Sequence, residues 1–313
     1  MGKINYKKGL QKLGKGSYAY LQPDGSWGWS NAGLISDGDE SMLVDTLYDL
    51  ELTREMLDTM SQSVAAARHI NTLVLTHSNG DHVFGNELVK GAEIVSSTAC
   101  AEEMSEMPPQ MMADLIKAAP TMGETGEYFS RCFSAFNFNG ITLTLPTRTF
   151  KGRLDLSVGN KEVNLIEVGP CHTKGDIMVF VPNDRTVFSG DMLFIGGTPI
   201  MWIGPVKNWI RACDLMLDLE ADFFVPGHGP VTDKKGVDSI KTYWTYIEAE
   251  ARKRFDAGMS MEQAISDIDL GQYAAWGEKE RIVINVAALF KEFRNDDNPL
   301  NALELFGLMA KMT

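Results

Sequence analysis

The chain has 313 residues, 44% hydrophobic and 23% charged, with a formal net charge of −13. That size suits one large domain or two moderate ones, and the composition excludes disordered and collagen-like classes. No apolar run reaches the length of a membrane span, and an acidic chain without a basic track argues against nucleic acid or anionic lipid as a partner.

The opening MGKINYKKGLQKLGKGSYAY is basic but lacks the apolar centre of a signal peptide, and Tyr6 stands where an acylation signal needs Ser or Thr. A cytoplasmic location is therefore expected. Tyr18 to Leu21 reads as a strand leading into the turn signal Pro23-Asp24-Gly25. Trp27 to Trp29 and Asn31 to Ile35 suggest the returning strand, and Ser41 to Asp45 another. A helix follows, with Thr53 as its cap and Met56, Leu57, Met60 and Val64 on one face. Thr72 to Leu75 is a short apolar strand ending at Thr76.

Residues 97–135 are rich in Met and Ala and read as two or three short helices around Pro108-Pro109. Strands are expected at 141–145, 153–157, 162–168, 177–181 and 186–189, then a helix from Val206 and a strand at Phe223 to Val225. Beyond about residue 232 the pattern is helical, at 235–257, 261–268, 278–294 and 301–311. Strands interleaved with helices imply a layered α/β sandwich over residues 1–232, and residues 233–313 form a helical C-terminal region.

Four cysteines (Cys100, Cys132, Cys171, Cys213) have no CxxC spacing, which excludes a disulfide framework and a thiolate zinc site. The histidines are more telling. Only five exist, and four follow apolar strands in polar loops: His77 and His82 in LVLTHSNGDH, His172 in LIEVGPCHTKGD, and His228 in FFVPGHGP. Asp81 and Asp191, the latter in TVFSGDMLF, occur in the same way. Strand-end loops on a rigid sheet are where sites are built, and imidazole with carboxylate is a ligand set for zinc, iron or manganese. The fifth, His69, falls at a helix end and is read as a surface residue.

These segments resemble the metallo-β-lactamase superfamily over roughly residues 17 to 232. The family's His-x-His-x-Asp-His motif corresponds to His77-Ser78-Asn79-Gly80-Asp81-His82, followed by Gly85-Asn86. Gly-His-Thr-x-Gly-Asp is similar to Gly169 through Asp176, with Pro170-Cys171 inserted before His172. Ser189-Gly190-Asp191 and Pro226-Gly227-His228-Gly229 supply the remaining motifs, and Asp45 matches an early buried aspartate that is usually structural.

The resemblance implies a four-layer αββα sandwich with two metals at one edge. His77, Asn79 and His172 would hold one ion, Asp81, His82 and His228 the other, and Asp191 would bridge. A bridging water, its pKa lowered by the metals, would be the nucleophile, with Asp81 orienting it or carrying a proton to the leaving group.

Asn79 departs from the family pattern, because an amide oxygen is a weaker zinc ligand than imidazole. Three readings of its position follow: a weakly held first ion, a second position filled alone, or a pair preferring Mn²⁺ or Fe²⁺ over Zn²⁺. The plain structural alternative is that Asn79 with Gly80 sets a left-handed turn. On the substrate side, Trp27, Trp29 and Trp202 are candidate walls, and residues 97–135 a candidate lid or a packing segment.

The expected function is a metal-dependent hydrolase acting on an ester, lactone, thioester or amide of a small, largely apolar molecule, with a homodimer as the expected assembly. A β-lactam is disfavoured by the absent export signal. The C-terminal helices are similar to those of glyoxalase II-like members, but no basic cluster suits glutathione. The alternatives are an iron-dependent redox enzyme on the same fold, and a non-catalytic protein that binds a small ligand at a degenerate metal site.

Overall fold

The computed structural model describes residues 5–313; the Met1-Gly2 start, read above as carrying no acylation signal, lies outside them. The strands carry apolar side chains to two destinations in alternation. Tyr20, Leu34, Leu43, Leu73 and Ile94 pack into a large core shared with the helices. Their neighbours Ala19, Leu21, Ile35, Met42, Val44, Val74 and Val95 join Val163, Leu165, Val179, Phe188 and Val225 in a second core. A period of two with both faces apolar is what a strand buried on both sides requires. Two sheets pressed together, each covered by helices, follow from it.

The first sheet runs in chain order: β1 (Gly9–Lys12), β2 (Ser17–Leu21), β3 (Ala32–Asp37), β4 (Glu40–Val44), β5 (Thr72–Val74), β6 (Glu93–Ser97) and β7 (Arg148–Phe150). It is antiparallel up to β4 and parallel from β4 to β7. The second sheet holds β8 (Arg153–Val158), β9 (Lys161–Glu167), β10 (Ile177–Val181), β11 (Thr186–Phe188) and β12 (Phe223–Val225), in the order β12-β11-β10-β9-β8. Its β11 and β12 are parallel, with Phe188 opposite Val225.

The helices are α1 (Leu50–Ser63), α2 (Gly80–Val83), α3 (Thr98–Glu103), α4 (Pro109–Ala118), α5 (Gly123–Phe133), α6 (Val206–Asp218), α7 (Lys234–Asp256), α8 (Met261–Asp267), α9 (Ile282–Arg294) and α10 (Ala302–Ala310). The sandwich architecture expected from the sequence is the one observed. Among the described residues, no helix is long and apolar enough to cross a membrane. A buried clip ties the two sheets together: Asp184 accepts from Ser17 of β2 and from Lys161 of β9, at 2.7 and 2.5 Å.

Several local expectations are corrected. The strand over 141–145 is absent; that stretch is irregular, and the ladder partner of β6 is β7. β1 was not foreseen, its Gly9-Leu10-Gln11-Lys12 lying between glycines and lysines. Residues 27–31 form a loop, and the returning strand begins at Ala32. Asp49, not Thr53, caps α1, accepting from Leu52 N at 2.8 Å. Thr53 is buried instead, its hydroxyl accepting from Leu47 N. Residues 97–135 do form three helices, α3 to α5, and the C-terminal helices fall within two residues of expectation except that the start of α9 is preceded by a short 3₁₀ turn at Lys279–Arg281.

Candidate metal centre

Four strand ends converge on one edge of the sandwich. β4 delivers Asp45, β5 leads through Thr76 to His77, β11 to Asp191, and β12 to His228. His172 comes from the loop between β9 and β10, and Asp81 and His82 from the short helix α2. Backbone bonds lock these loops across the two sheets, Ile177 N donating to Thr76 O at 2.9 Å and Asn31 N to Gly227 O at 2.7 Å, and within the second sheet, Gly227 N donating to Gly190 O at 2.7 Å. The motif glycines are there for space. A Cβ on Gly227 would run into Asp191, and Gly190, at φ +51°, lies against Thr76.

Asp191 sits at the centre. Its Oδ2 is 3.7 Å from His77 Nε2, 3.3 Å from His172 Nε2 and 3.5 Å from His228 Nε2, and its Oδ1 is 3.2 Å from His82 Nε2. Asp81 Oδ2 lies 3.2 Å from His228 Nε2 and 3.7 Å from His82 Nε2. The donor atoms fall into two groups, His77 with His172 and Asp191, and Asp81 with His82 and His228, each within 4.8 Å. All six residues are buried, Asp81 being the most exposed at 8%.

Each histidine is oriented through its other nitrogen. Nδ1 of His82 meets Asp45 Oδ2 at 2.9 Å, that of His172 meets Ile200 O at 2.6 Å, that of His228 meets Gly25 O at 3.1 Å, and that of His77 meets the Thr76 hydroxyl at 3.0 Å. A proton on Nδ1 leaves Nε2 with its lone pair turned inward, the arrangement a metal-ligating histidine needs. Asp45, read from the sequence as structural, therefore does two jobs. It accepts from Thr76 N and Oγ1, both at 2.7 Å, and it turns His82. Its own φ of +62° and its pairing with His82 are not legible in a strand pattern.

The chemistry of these residues fits a cation. His77 Nε2, His82 Nε2 and Asp191 Oδ1 are buried without a hydrogen-bond partner, a costly state for polar atoms unless something else binds them. Among the described residues, the ion-pair partners of the buried carboxylates Asp45, Asp81 and Asp191 are histidines alone.

The electrostatics follow. Burial drives His77 and His172 below the usual imidazole range, keeping them neutral. Burial acts the same way on His82 and His228, but Asp191 and Asp81 outweigh it, holding His82 well above that range and pushing His228 up to about 9. Burial likewise opposes ionisation of Asp191, yet His228, His82 and His77 hold its carboxyl well below the ordinary range. The pocket is organised around missing positive charge.

Asn79 lies beside the first group, its side-chain amide nitrogen 3.0 Å from His172 Nε2. Its φ of −67° is not left-handed, so the turn-fixing alternative is set aside. Of the three tryptophans, all are half-buried. Trp27 and Trp29 belong to the loop above His228 and Asp81, where Ser30 Oγ donates to Asp81 O at 2.5 Å. Trp202 N donates to His172 O on the opposite side.

Residues the sequence did not single out complete the cover. Trp27 packs on Phe133 of α5 and Phe306 of α10, with ring centroids 5.7 and 5.4 Å apart. Trp29 meets Phe136 at 4.9 Å, and Tyr48 lies against Phe136 and Phe138 at 4.9 and 4.8 Å. The ring of Tyr48 fits only because Gly28 and Gly80 have no side chain. Arg281 lies over Trp27 at 4.2 Å, and Glu278 accepts from both Arg281 and Trp27 N. Their spread along the chain, from Tyr48 to Phe306, hid them from any local pattern. Of the methionines in residues 97–135, Met104 and Met112 are core while Met107 and Met111 are exposed.

A family model described as the metallo-beta-lactamase superfamily matches residues 25–228. The alpha subunit of a 2,4-dinitroanisole O-demethylase from Nocardioides sp. is 24% identical over 238 residues, 73% of this chain and 62% of that protein. The chain thus spans less than two thirds of that relative. A beta-lactamase-like protein 2 homolog from Caenorhabditis elegans is 23% identical over 86% of this chain and 81% of its own. Among solved structures, a metallo-beta-lactamase from Pontibacter korlensis aligns with a TM-score of 0.57 at 19% identity, covering 76% of this chain and 99% of that one. A stereoselective inverting sec-alkylsulfatase from Pseudomonas sp. aligns at 0.67 and 16%, covering 94% of this chain and 52% of that one.

Proposed function

The chain belongs to the metallo-beta-lactamase superfamily, and on that premise we propose that it is a divalent-metal-dependent hydrolase of a small ester or lactone with an apolar body. The observation that carries the reading is the juxtaposition of two buried ligand groups with an aromatic cover. In this reading His77, His172 and Asp191 hold one ion, and Asp81, His82 and His228 the other. Bound there, a divalent ion supplies Lewis acidity and a water ionisable near neutral pH. Zinc suits the imidazoles, and Mn²⁺ or Fe²⁺ the carboxylates.

The chain's own residues do the rest. Asp45, Ile200 O and Gly25 O fix the imidazole planes, so the rings of His82, His172 and His228 need no reorientation. Hydrolysis adds the hydroxyl of water to the acyl carbon, breaks its bond to the alkoxide oxygen, and returns a proton to that oxygen. Asp81, the most exposed of the six, carries that proton on Oδ2. Trp27, Trp29 and Tyr48 hold the apolar portion and exclude water, with Trp202 on the far side. Residues 97–135 act as a lid through α5, and residues 233–313 close it through α10.

The test is turnover of 4-nitrophenyl butyrate and a δ-lactone by metal-loaded protein. Turnover that chelation abolishes and a divalent ion restores is expected, as is a loss of at least about a hundredfold on Asp81→Asn. Two relatives named for other reactions, O-demethylation and alkyl sulfate cleavage, define the competing outcome. Cleavage of an aryl methyl ether or a sec-alkyl sulfate, with both esters untouched, would replace the ester reading.

A further inference from the structure

We propose that Asn79 makes the two metal positions unequal: Asp81, His82 and His228 take one divalent ion tightly, and His77 with His172 take a second only when the Asn79 amide lets go of His172. The inference rests on the metal-centre reading above.

His172 donates from Nδ1 to Ile200 O at 2.6 Å, so its Nε2 carries the lone pair. The Asn79 amide nitrogen donates to that lone pair at 3.0 Å. The amide cannot be turned the other way in this arrangement, because its oxygen would then face a lone pair. His77 Nε2, His82 Nε2 and Asp191 Oδ1 have no partner. His172 Nε2 is the inward-facing nitrogen already satisfied by an uncharged donor of the protein. An ion entering the first position must break that bond, and it then finds an amide oxygen where the family motif offers imidazole.

A second observation shows that the side chain is committed to His172. Asn79 occupies the N-cap position of α2, where Asn ordinarily accepts from the backbone of the first turn, yet its side chain makes no cap bond. Its backbone is fixed, since Asn79 O accepts from His82 N at 2.9 Å and the neighbouring Ser78 is tied to Glu103 at 2.7 Å. Release of His172 is therefore a rotation of one side chain, not a movement of the loop that carries Asp81 and His82. An ion tolerant of oxygen donors should fill the second position more readily than zinc.

The test is a zinc titration of the chelator-stripped full chain by calorimetry, with competition against a chromophoric chelator for the tight step. One tight equivalent and a second weaker by about ten- to a hundredfold are expected, the range by which groups around a metal ligand alter affinity. Asn79→His should bring the two steps within a few-fold of each other. Asn79→Ala frees His172 without adding a ligand, so its second step should equal or exceed that of the wild type. Two equal steps in the wild-type chain, or a second step weakened by Asn79→Ala, would overturn the proposal. Should Asn79→His fail to fold, Asn79→Ala carries the test alone. A wild-type chain that binds no ion at all sinks the metal-centre reading itself, and this inference with it.

Discussion

Replacing Asp45 by Asn would put an amide where His82 needs a pure acceptor and where Thr76 donates twice. The expected result is a ten- to hundredfold loss of affinity for the tight ion (about that order for ligand-orienting partners), read by chelator competition; an unchanged affinity would show that Asp45 only braces the strand end. Asp176 offers a second measurement. It closes the loop that carries His172 by accepting from Cys171 N, Thr173 N and the Thr173 hydroxyl. Burial raises its carboxyl from 3.8 to about 7 despite those bonds. The folded chain thus keeps a proton that the unfolded chain has already lost, and stability falls as pH rises from about 4 to about 7, by up to about 4 kcal/mol. Asp176→Asn should flatten that slope in urea denaturation measured across the range, and an identical slope in both proteins would remove Asp176 as its source. The site itself was legible at this scale because His and Asp at strand ends are rare and their motifs are local. The contact between Asn79 and His172 was not, since it joins residues 93 positions apart.

Among the elements, α10 has the least obvious role in the sequence and a definite one in the fold. Phe306 inserts among Trp27, Tyr128, Phe129 and Phe133 at centroid distances of 5.4 to 6.0 Å. Phe306→Ala should cost about 3–5 kcal/mol, as for other buried aromatics cut to Ala, and should raise KM for an apolar ester more than it lowers kcat. A stability loss with KM unchanged would make α10 a purely structural prop. Periodicity located α7 well, because its buried positions repeat every three to four residues; α9, buried continuously from Ile282 to Phe290, was legible from the length of its apolar run instead. Periodicity failed for β1 and β7, strands of four and three residues too short to show alternation, and for 141–145, where it suggested a strand that is absent. There, pairing with a neighbour decides, and pairing is invisible in one chain segment.

For the whole molecule, the candidate metal centre is also a joint. It draws Asp45, His77 and His82 from the first sheet's side and His172, Asp191 and His228 from the second's. Without a divalent ion their carboxylates face one another and imidazoles, of which burial keeps His77 and His172 neutral. The melting temperature should drop by about 5–10 °C and recover on adding zinc, since a ligand bound by the folded state alone stabilises it by mass action. Equal melting with and without ions would mean that the joint holds without its cation. The layered architecture was readable from strand and helix order; the closing of its cover by a distant segment was not.

That cover has a consequence for how the protein is made. Trp27 waits for Glu278, Arg281 and Phe306, and a ribosome delivers those residues long after it. By the time they emerge, every strand and all six histidine and aspartate ligands have been synthesised. The growing chain therefore passes through an interval in which the ligand cluster can assemble beneath an unfinished roof. If the proposed ions bind there, the cluster is most open to them before α10 docks, and metal supply during translation would then bear on which ion is held.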